Sequence, residues 1–288
     1  MTGITGQDGS YMAELLLSKG YDVYGIVRRS SSLNCSRIAH LMDKVHLMYA
    51  DLTDSTSIEE CVRGCEPQEI YNLGAMSFVP ASWAQPINTF DVNCLGLLRL
   101  IKASEPFYAK IYQASSSEMY GNSYPSFAPV SPYGISKLSA HHIASAYRGK
   151  GRFICCGICF NHESPRRGEE FVTQKIARFA KKPEGTLRLG NLDASRDWGF
   201  AGDYVEAMWL MMQQTTSDDY EIATGESHTI KEFLDLALPD WKNHVETDIS
   251  LVRPNEINRL CGNPFKIQQL GWKPKVNFKQ LVEMMCQK

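Results

Sequence analysis

No apolar run in this sequence approaches the roughly 20 residues that a membrane-spanning helix needs, which argues against a helical membrane protein. Neither sign of charge is in excess: 30 Lys and Arg against 32 Asp and Glu leave a net charge of −2. That balance argues against a nucleic-acid binder or a membrane-surface binder. No secretory leader is recognisable, because Met1 runs almost directly into a glycine-rich turn. A disulfide or zinc framework is missing too. The nine cysteines are scattered, and Cys156-x-x-Cys159 has no second pair at ligand spacing. That pair lies inside the apolar run Phe153–Phe160, where neighbours alternate faces of a strand. Buried, reduced thiols and a cytosolic compartment are the expectation.

What is present is ordinary globular material. The 288 residues, 43% hydrophobic and 22% charged, suffice for one large domain or one and a half. Strand and helix patterns alternate from the start. The spacing predicts a helix over Ser10–Ser18, strands over Asp22–Val27 and Val45–Ala50, a helix over Ser55–Arg63 and a strand over Glu69–Leu73. A long helix over Asn88–Ser104 and a strand over Ala109–Ser115 follow, then a helix carrying Tyr133 and a strand over Phe153–Phe160. Such alternation predicts an α/β fold, a Rossmann-type doubly wound parallel sheet over residues 1–160. A smaller, mixed α/β carboxyl-terminal part over 161–288 is expected to pack on it, with some chain crossing back to the sheet. Helices are expected there near Phe171–Ala180, Tyr204–Gln213 and Lys279–Cys286, with short strands near Leu187 and Tyr220. Only Met1 and Thr2 precede the first glycine, although a glycine turn of this kind follows a strand of about 5–6 residues. The chain is therefore expected to start inside its first, central strand, whose loss would split the sheet.

Gly3-Ile4-Thr5-Gly6-Gln7-Asp8-Gly9 leads straight into a helix. Glycines at this spacing let backbone amides approach a pyrophosphate at the helix amino terminus, the geometry of dinucleotide binding. At the end of the second strand an NAD binder places an acid for the ribose hydroxyls. Here Arg28-Arg29-Ser30-Ser31 stand instead, and two guanidiniums with two hydroxyls suit the 2′-phosphate of NADP.

Two further segments carry the chemistry. In QASSSEMYG (Gln113–Gly121), Ser116 and Glu118 leave the carboxyl end of a strand two residues apart, on one face. In Tyr133-Gly-Ile-Ser-Lys137 the phenol and the ammonium are four apart, on one face of a helix. A lysine beside a tyrosine is expected to lower the phenol from its usual value of roughly 10. Hydroxyl, carboxylate, phenol and ammonium are together the set needed to oxidise a sugar alcohol and then eliminate from the product. His141-His142 read as plain helix positions.

GITGQDGSY, RRSSS, YADLTDS, YNLGAMS, QASSSEMYG, SPYGISK, FNHESPRRGEEFV, LGNLDASRDWGFAGDY, IATGE and LGWKP resemble the GDP-mannose 4,6-dehydratase family, extended short-chain dehydrogenase/reductases, nearly end to end. The resemblance implies a hydro-lyase acting on GDP-mannose with a tightly held NADP. It implies Ser116, Glu118 and Tyr133 as catalytic residues, with Lys137 supporting Tyr133 and holding the nicotinamide ribose. It also implies an NADP site formed by the turn from Gly3 to Gly9, Arg28 to Ser31, Asp51, Leu52, Leu73, Gly74, Ala75, Met76, Ser77, His162 and Arg167. Asn161, Val172, Lys175, Gly190, Arg196, Arg253 and Glu256 would meet the nucleotide diphosphate of the substrate. A dimer or tetramer is implied, with the Ser30–Arg37 loop reaching a neighbour's cofactor.

Three positions depart from the family pattern. Ser116 stands where many members have threonine, and Asn88 where a tyrosine is common. The stretch from Gly121 to Tyr133 is shorter than in most members. An epimerase, decarboxylase or keto-sugar reductase on the same scaffold, or a non-catalytic NADP-binding homologue, remain the alternatives.

Overall fold

A computed structural model describes residues 1–32, 34–252 and 255–287. The central sheet is built from β1 (Tyr24–Val27), β2 (His46–Tyr49), β3 (Glu69–Asn72), β4 (Lys110–Ser116) and β5 (Ile154–Cys159), all parallel to their neighbours. Two short strands, β6 (Asn161–Glu163) and β9 (Trp198–Phe200), form a separate parallel pair. The carboxyl-terminal part adds β7 (Leu187–Leu189) paired with β12 (Val245–Thr247). There β8 (Ser195–Arg196) lies between β11 (His228–Thr229) and β13 (Arg259–Leu260). The short strand expected near Tyr220 is β10 (Asp219–Ile222), and it pairs with β5 at the edge of the central sheet.

Thr2 stands where the first strand of the sheet belongs. It bridges Ile26 of β1 and Asn72 of β3, donating its N–H to the Tyr71 carbonyl at 3.0 Å, while Ile26 N–H reaches the Met1 carbonyl at 2.8 Å. The named strands accordingly fall into a β1–β2 pair and a β3–β4–β5–β10 group. Thr2 lies at the junction, the switch point at which doubly wound sheets take their ligands.

Helices cover both faces. On one side α1 (Gln7–Ser18) and α8 (Ala201–Met212) bury Met12, Leu16, Tyr204 and Met208 against the sheet. On the other lie α2 (Ser55–Cys65), α5 (Gly96–Ser104) and α6 (Pro132–Arg148), burying Ile58, Leu97, Ile101, Ala140 and Ala144. The long helix expected over Asn88–Ser104 is present with a π-turn inside it: after α3 (Val79–Ala84), α4 (Pro86–Phe90) continues through the π-turn at Asp91–Leu95 into α5. In the carboxyl-terminal part α7 (Val172–Lys181), α9 (Ile230–Ala237) and α11 (Phe278–Cys286) close over a second core of Ile176, Trp198, Phe233 and Leu281. The short α10 (Phe265–Gln268) lies against β10. All nine cysteines are free thiols, and Cys155, Cys156 and Cys159 are buried in β5.

Candidate active site

The glycine turn is built by steric necessity. Gly3 has φ +69°, and a Cβ there would lie 2.8 Å from the Gly74 amide nitrogen. A Cβ on Gly9 would lie 2.1 Å from the Gly3 carbonyl oxygen, so α1 can approach the turn this closely only with glycine there. Gly6 is the N-cap of α1, leaving the first amides of the helix aimed out of the turn. The side chain of Ile4 belongs to the core, so the turn presents only the backbone of that residue.

Gln7 and Asp8 are tied down within the protein. Gln7 accepts from Ser164 Oγ at 2.8 Å and donates to the His162 carbonyl at 3.1 Å. Burial alone would raise Asp8, but His162 Nε2 at 2.8 Å holds its carboxyl down at about 2. Burial works against protonation of His162, yet Asp8 raises it above its ordinary value. Its other ring nitrogen donates to the Phe160 carbonyl at 2.8 Å, the pattern of an imidazolium with both N–H groups used. Arg167 Nε lies 3.1 Å from Glu163 Oε2, but without hydrogen-bond alignment; its guanidinium stacks 3.6 Å over Phe171.

Beyond β1, Arg28 to Ser31 are exposed, and neither arginine pairs with an acid among the described residues. After β2, Asp51 Oδ1 accepts from the amide and hydroxyl of Thr53, while Leu52 is buried in the core. The loop Leu73–Ser77 after β3 is pinned twice. Gly74 N–H reaches Thr2 Oγ1 at 2.8 Å, and Asn93 bonds both the amide and the carbonyl of Met76. Asn93 also donates to Ser136 Oγ at 3.0 Å, coupling this loop to α6. Sequence reasoning missed Asn93; its signal is a lone amide on the apolar face of the helix over 88–104.

Ser116 ends β4, and its Oγ accepts from Glu118 N–H at 3.2 Å, so a short helical turn carries Glu118 back over the strand end. Helix α6 starts where the sequence says it should: Ser131 caps it, accepting from Gly134 N–H at 3.1 Å, and Pro132 takes the first turn. A Cβ on Gly134 would lie 2.8 Å from the Glu118 carbonyl oxygen, so the glycine beside Tyr133 lets helix and turn touch. The structure thus brings Ser116, Glu118, Tyr133 and Lys137 together, with the Tyr133 phenol hydrogen-bonded to Ser116.

The expected direction of the Tyr133 shift is overturned. Burial pushes the phenol above its ordinary value, and the Ser116 hydrogen bond offsets only part of that. Lys137 does not counter it, because its ammonium lies 6.0 Å from the Tyr133 ring centre and donates to the Ala114 carbonyl at 2.8 Å. Burial lowers Lys137 itself to about 8.

The residues expected to meet the substrate are spread along the carboxyl-terminal part. Asn161 opens β6, Val172 and Lys175 lie in the first turn of α7, and a Cβ on Gly190 would lie 2.8 Å from the Leu251 carbonyl oxygen. Arg196 is buried, with Nη2 3.1 Å from Glu256 Oε1. Asn122, just after the Ser117–Met119 turn, links that turn to this pair: it donates to the Glu256 carbonyl at 3.1 Å and accepts from Asn258 N–H at 3.1 Å. Arg253 lies outside the described residues. Asn88 is exposed, in α4. The short stretch after Gly121 folds back on the turn, with Ala128 N–H on the Met119 carbonyl at 3.0 Å.

A sequence profile described as "GDP-mannose 4,6 dehydratase" matches residues 1–285. GDP-mannose 4,6 dehydratase 1 of Arabidopsis thaliana is 49% identical over 315 aligned positions, covering 99% of this chain and 87% of that protein. GDP-mannose 4,6 dehydratase of Homo sapiens is 46% identical, covering 99% of this chain and 89% of that one. Among solved structures, UDP-glucose 4-epimerase of Thermus thermophilus in complex with NAD superposes with a TM-score of 0.87 at 26% identity, covering 99% and 96% of the two chains. The dTDP-glucose 4,6-dehydratase of Bacillus anthracis superposes equally well, TM-score 0.87 at 22% identity over 99% and 94%. The doubly wound sheet agrees with these likenesses, and the chain belongs to the GDP-mannose 4,6-dehydratase family.

Proposed function

We propose that this protein converts GDP-mannose to GDP-4-keto-6-deoxymannose and water, with NADP as a cofactor regenerated in each turnover. The observation that carries the reading is the placement of Glu118. A sugar epimerase or reductase needs Tyr133 and Lys137, whereas loss of water also needs a carboxylate at the strand end. The residues at the switch point suit the cofactor. Gly3, Gly9 and Gly74 leave a cradle that side chains would fill, and Arg28 and Arg29, unpaired among the described residues, are cations for a 2′-phosphate. Gly3 to Gly9, Asp51, Leu52, Leu73 to Ser77, His162 and Arg167 complete that proposed site. In it Asp8 and His162 act as a buried brace as much as a wall. Asn161, Val172, Lys175, Gly190, Arg196, Arg253 and Glu256 are proposed to face the GDP moiety.

When bound, NADP⁺ supplies the acceptor for a hydride from carbon 4 and its return to carbon 6. The chain does the rest. Tyr133 takes the proton of the 4-hydroxyl, with Ser116 Oγ holding phenol and sugar oxygen in line. Because burial alone keeps the phenol protonated, this step depends on positive charge brought beside the phenol when the site is filled, which Lys137 would supply only by leaving the Ala114 carbonyl. The new ketone acidifies carbon 5. Glu118 removes that proton, then gives a proton to the departing 6-hydroxyl; carbon 5 is reprotonated as the hydride arrives at carbon 6, which returns to the sugar the proton taken from its 4-hydroxyl.

No helix among the described residues is long and apolar enough to cross a membrane. The free thiols support a cytoplasmic setting. A homo-oligomer is supported by the apolar face that α4 and the π-turn leave open, where Ile87 is 85% exposed beside Phe90 and Leu95. Incubation with GDP-mannose alone tests the function: a product lighter by one water with no net change in cofactor redox state is expected. Recovery of an isobaric epimer, or of unchanged GDP-mannose, would refute it.

A further inference from the structure

One turn beyond Lys137 on α6, His141 joins a buried cluster that the dehydration does not use. Its Nδ1 is 3.2 Å from Ser115 Oγ of β4, and its Nε2 is 3.5 Å from Asp219 Oδ2 of β10. Between those strands, Cys156 of β5 stands directly across the ladder from Asp219. One ligand atom from each of His141, Cys156 and Asp219 lies within 4.8 Å of the others. Imidazole, thiolate and carboxylate are the donor types that zinc takes in tetrahedral sites.

The outer atoms of these side chains are already held. Ser115 anchors the far nitrogen of His141, and Arg148 Nη2 grips Asp219 Oδ1, leaving Nε2, Oδ2 and the sulfur to converge. Such second-layer support orients the ligands of metal sites. Burial favours the neutral imidazole that a metal requires. The positive charge of Arg148 is shared with Asp218, 4.0 Å from Nη1, so the guanidinium is not balanced by Asp219 alone. Asp219 keeps 28% of its side chain exposed, which opens a route from solvent and room for a water as fourth ligand.

We propose that His141 Nε2, Cys156 Sγ and Asp219 Oδ2 form a binding site for a zinc-class divalent cation that braces α6 against β5 and β10. The site is structural: it ties down the helix carrying Tyr133 and Lys137 from the side of Ser115, without touching the reacting atoms. Binding releases the thiol proton, and the cation, thiolate and carboxylate then balance in charge.

The test uses the full chain stripped with a chelator and titrated with Co²⁺, then Zn²⁺. A thiolate-to-cobalt charge-transfer band saturating at one equivalent per chain is expected, abolished by Zn²⁺, with a rise in Tm on zinc binding. Cys156→Ser should remove the band, and Asp219→Asn should weaken binding at least about 10-fold; Cys155→Ser should change neither. Should Cys156→Ser not fold, His141→Gln replaces it with the same expected loss. A wild-type chain with no saturable band, or a band that survives the ligand substitutions, overturns the proposal.

Discussion

Lys137→Met isolates a conflict between stability and chemistry at the centre of the site. Lys137 is 4% exposed, and burial lowers its ammonium from 10.5 to about 8. Carrying that proton at pH 7 therefore costs the fold about 3 kcal/mol. The hydrogen bond to the Ala114 carbonyl, which the amine can donate in either protonation state, returns about 0.5–1.5 kcal/mol. That carbonyl also accepts from Gln113 Nε2 at 3.0 Å, so it is not orphaned when the lysine is removed. Methionine should thus fold with a stability at pH 7 about 1.5–2.5 kcal/mol greater than wild type, while losing activity by about 10²-fold or more. The decisive readout is the pH slope. Between pH 8 and 10.5 the unfolded chain still holds the proton that the folded chain has released, so wild-type stability rises with pH. From pH 8 to about 9.5 the gain is about 1.5 kcal/mol. Urea denaturation of both proteins at several pH values measures it. The variant should lack this increment, and parallel curves would refute the buried, strained ammonium.

Glu118→Gln should still oxidise the sugar, building up reduced-cofactor absorbance, but form little 4-keto-6-deoxy product; wild-type turnover would remove Glu118 from the mechanism. Replacing Arg28 and Arg29 together by Ala should weaken NADP relative to NAD by about 10-fold or more, as expected for lost charge-assisted phosphate bonds; an unchanged ratio in equilibrium dialysis would place the 2′-phosphate elsewhere. Asp8 is held from 3.8 down to about 2, so its pairing with His162 stabilises the fold above pH 3.8 and is lost as pH falls through 2. Asp8→Asn should therefore unfold about 2 kcal/mol more easily at pH 6, a gap that narrows in strong acid and again as pH rises through the raised value of His162. A pH-independent gap in denaturant midpoints would contradict that pairing.

Several features were legible because they depend on neighbours in the chain. Tyr133 and Lys137 share a face because a helix repeats every 3.6 residues, and Ser131-Pro132 announces where that helix begins. Ser116 and Glu118 read as a strand exit, and Gly3, Gly6 and Gly9 as a turn that side chains would block. The doubly wound class followed from alternation alone, and the motifs carried the family.

What the sequence left open are quantities set by distant partners. Asp8 meets His162 from 154 positions away, Arg196 meets Glu256, and Asn122 ties the catalytic turn to that pair. Some chain is expected to cross back to the sheet, but spacing does not say which; it is the strand at Tyr220, which pairs with β5 at the sheet edge. The Tyr133 phenol shows the division most plainly. Spacing put an ammonium four residues away and suggested a lowered value. Burial, which only the assembled fold defines, raises it instead, and the Lys137 ammonium donates to the Ala114 carbonyl. The sequence by itself determined which groups enter the site, because local geometry is written in short spacings. The tertiary structure decided their charge, because solvent exclusion is a property of everything packed around them.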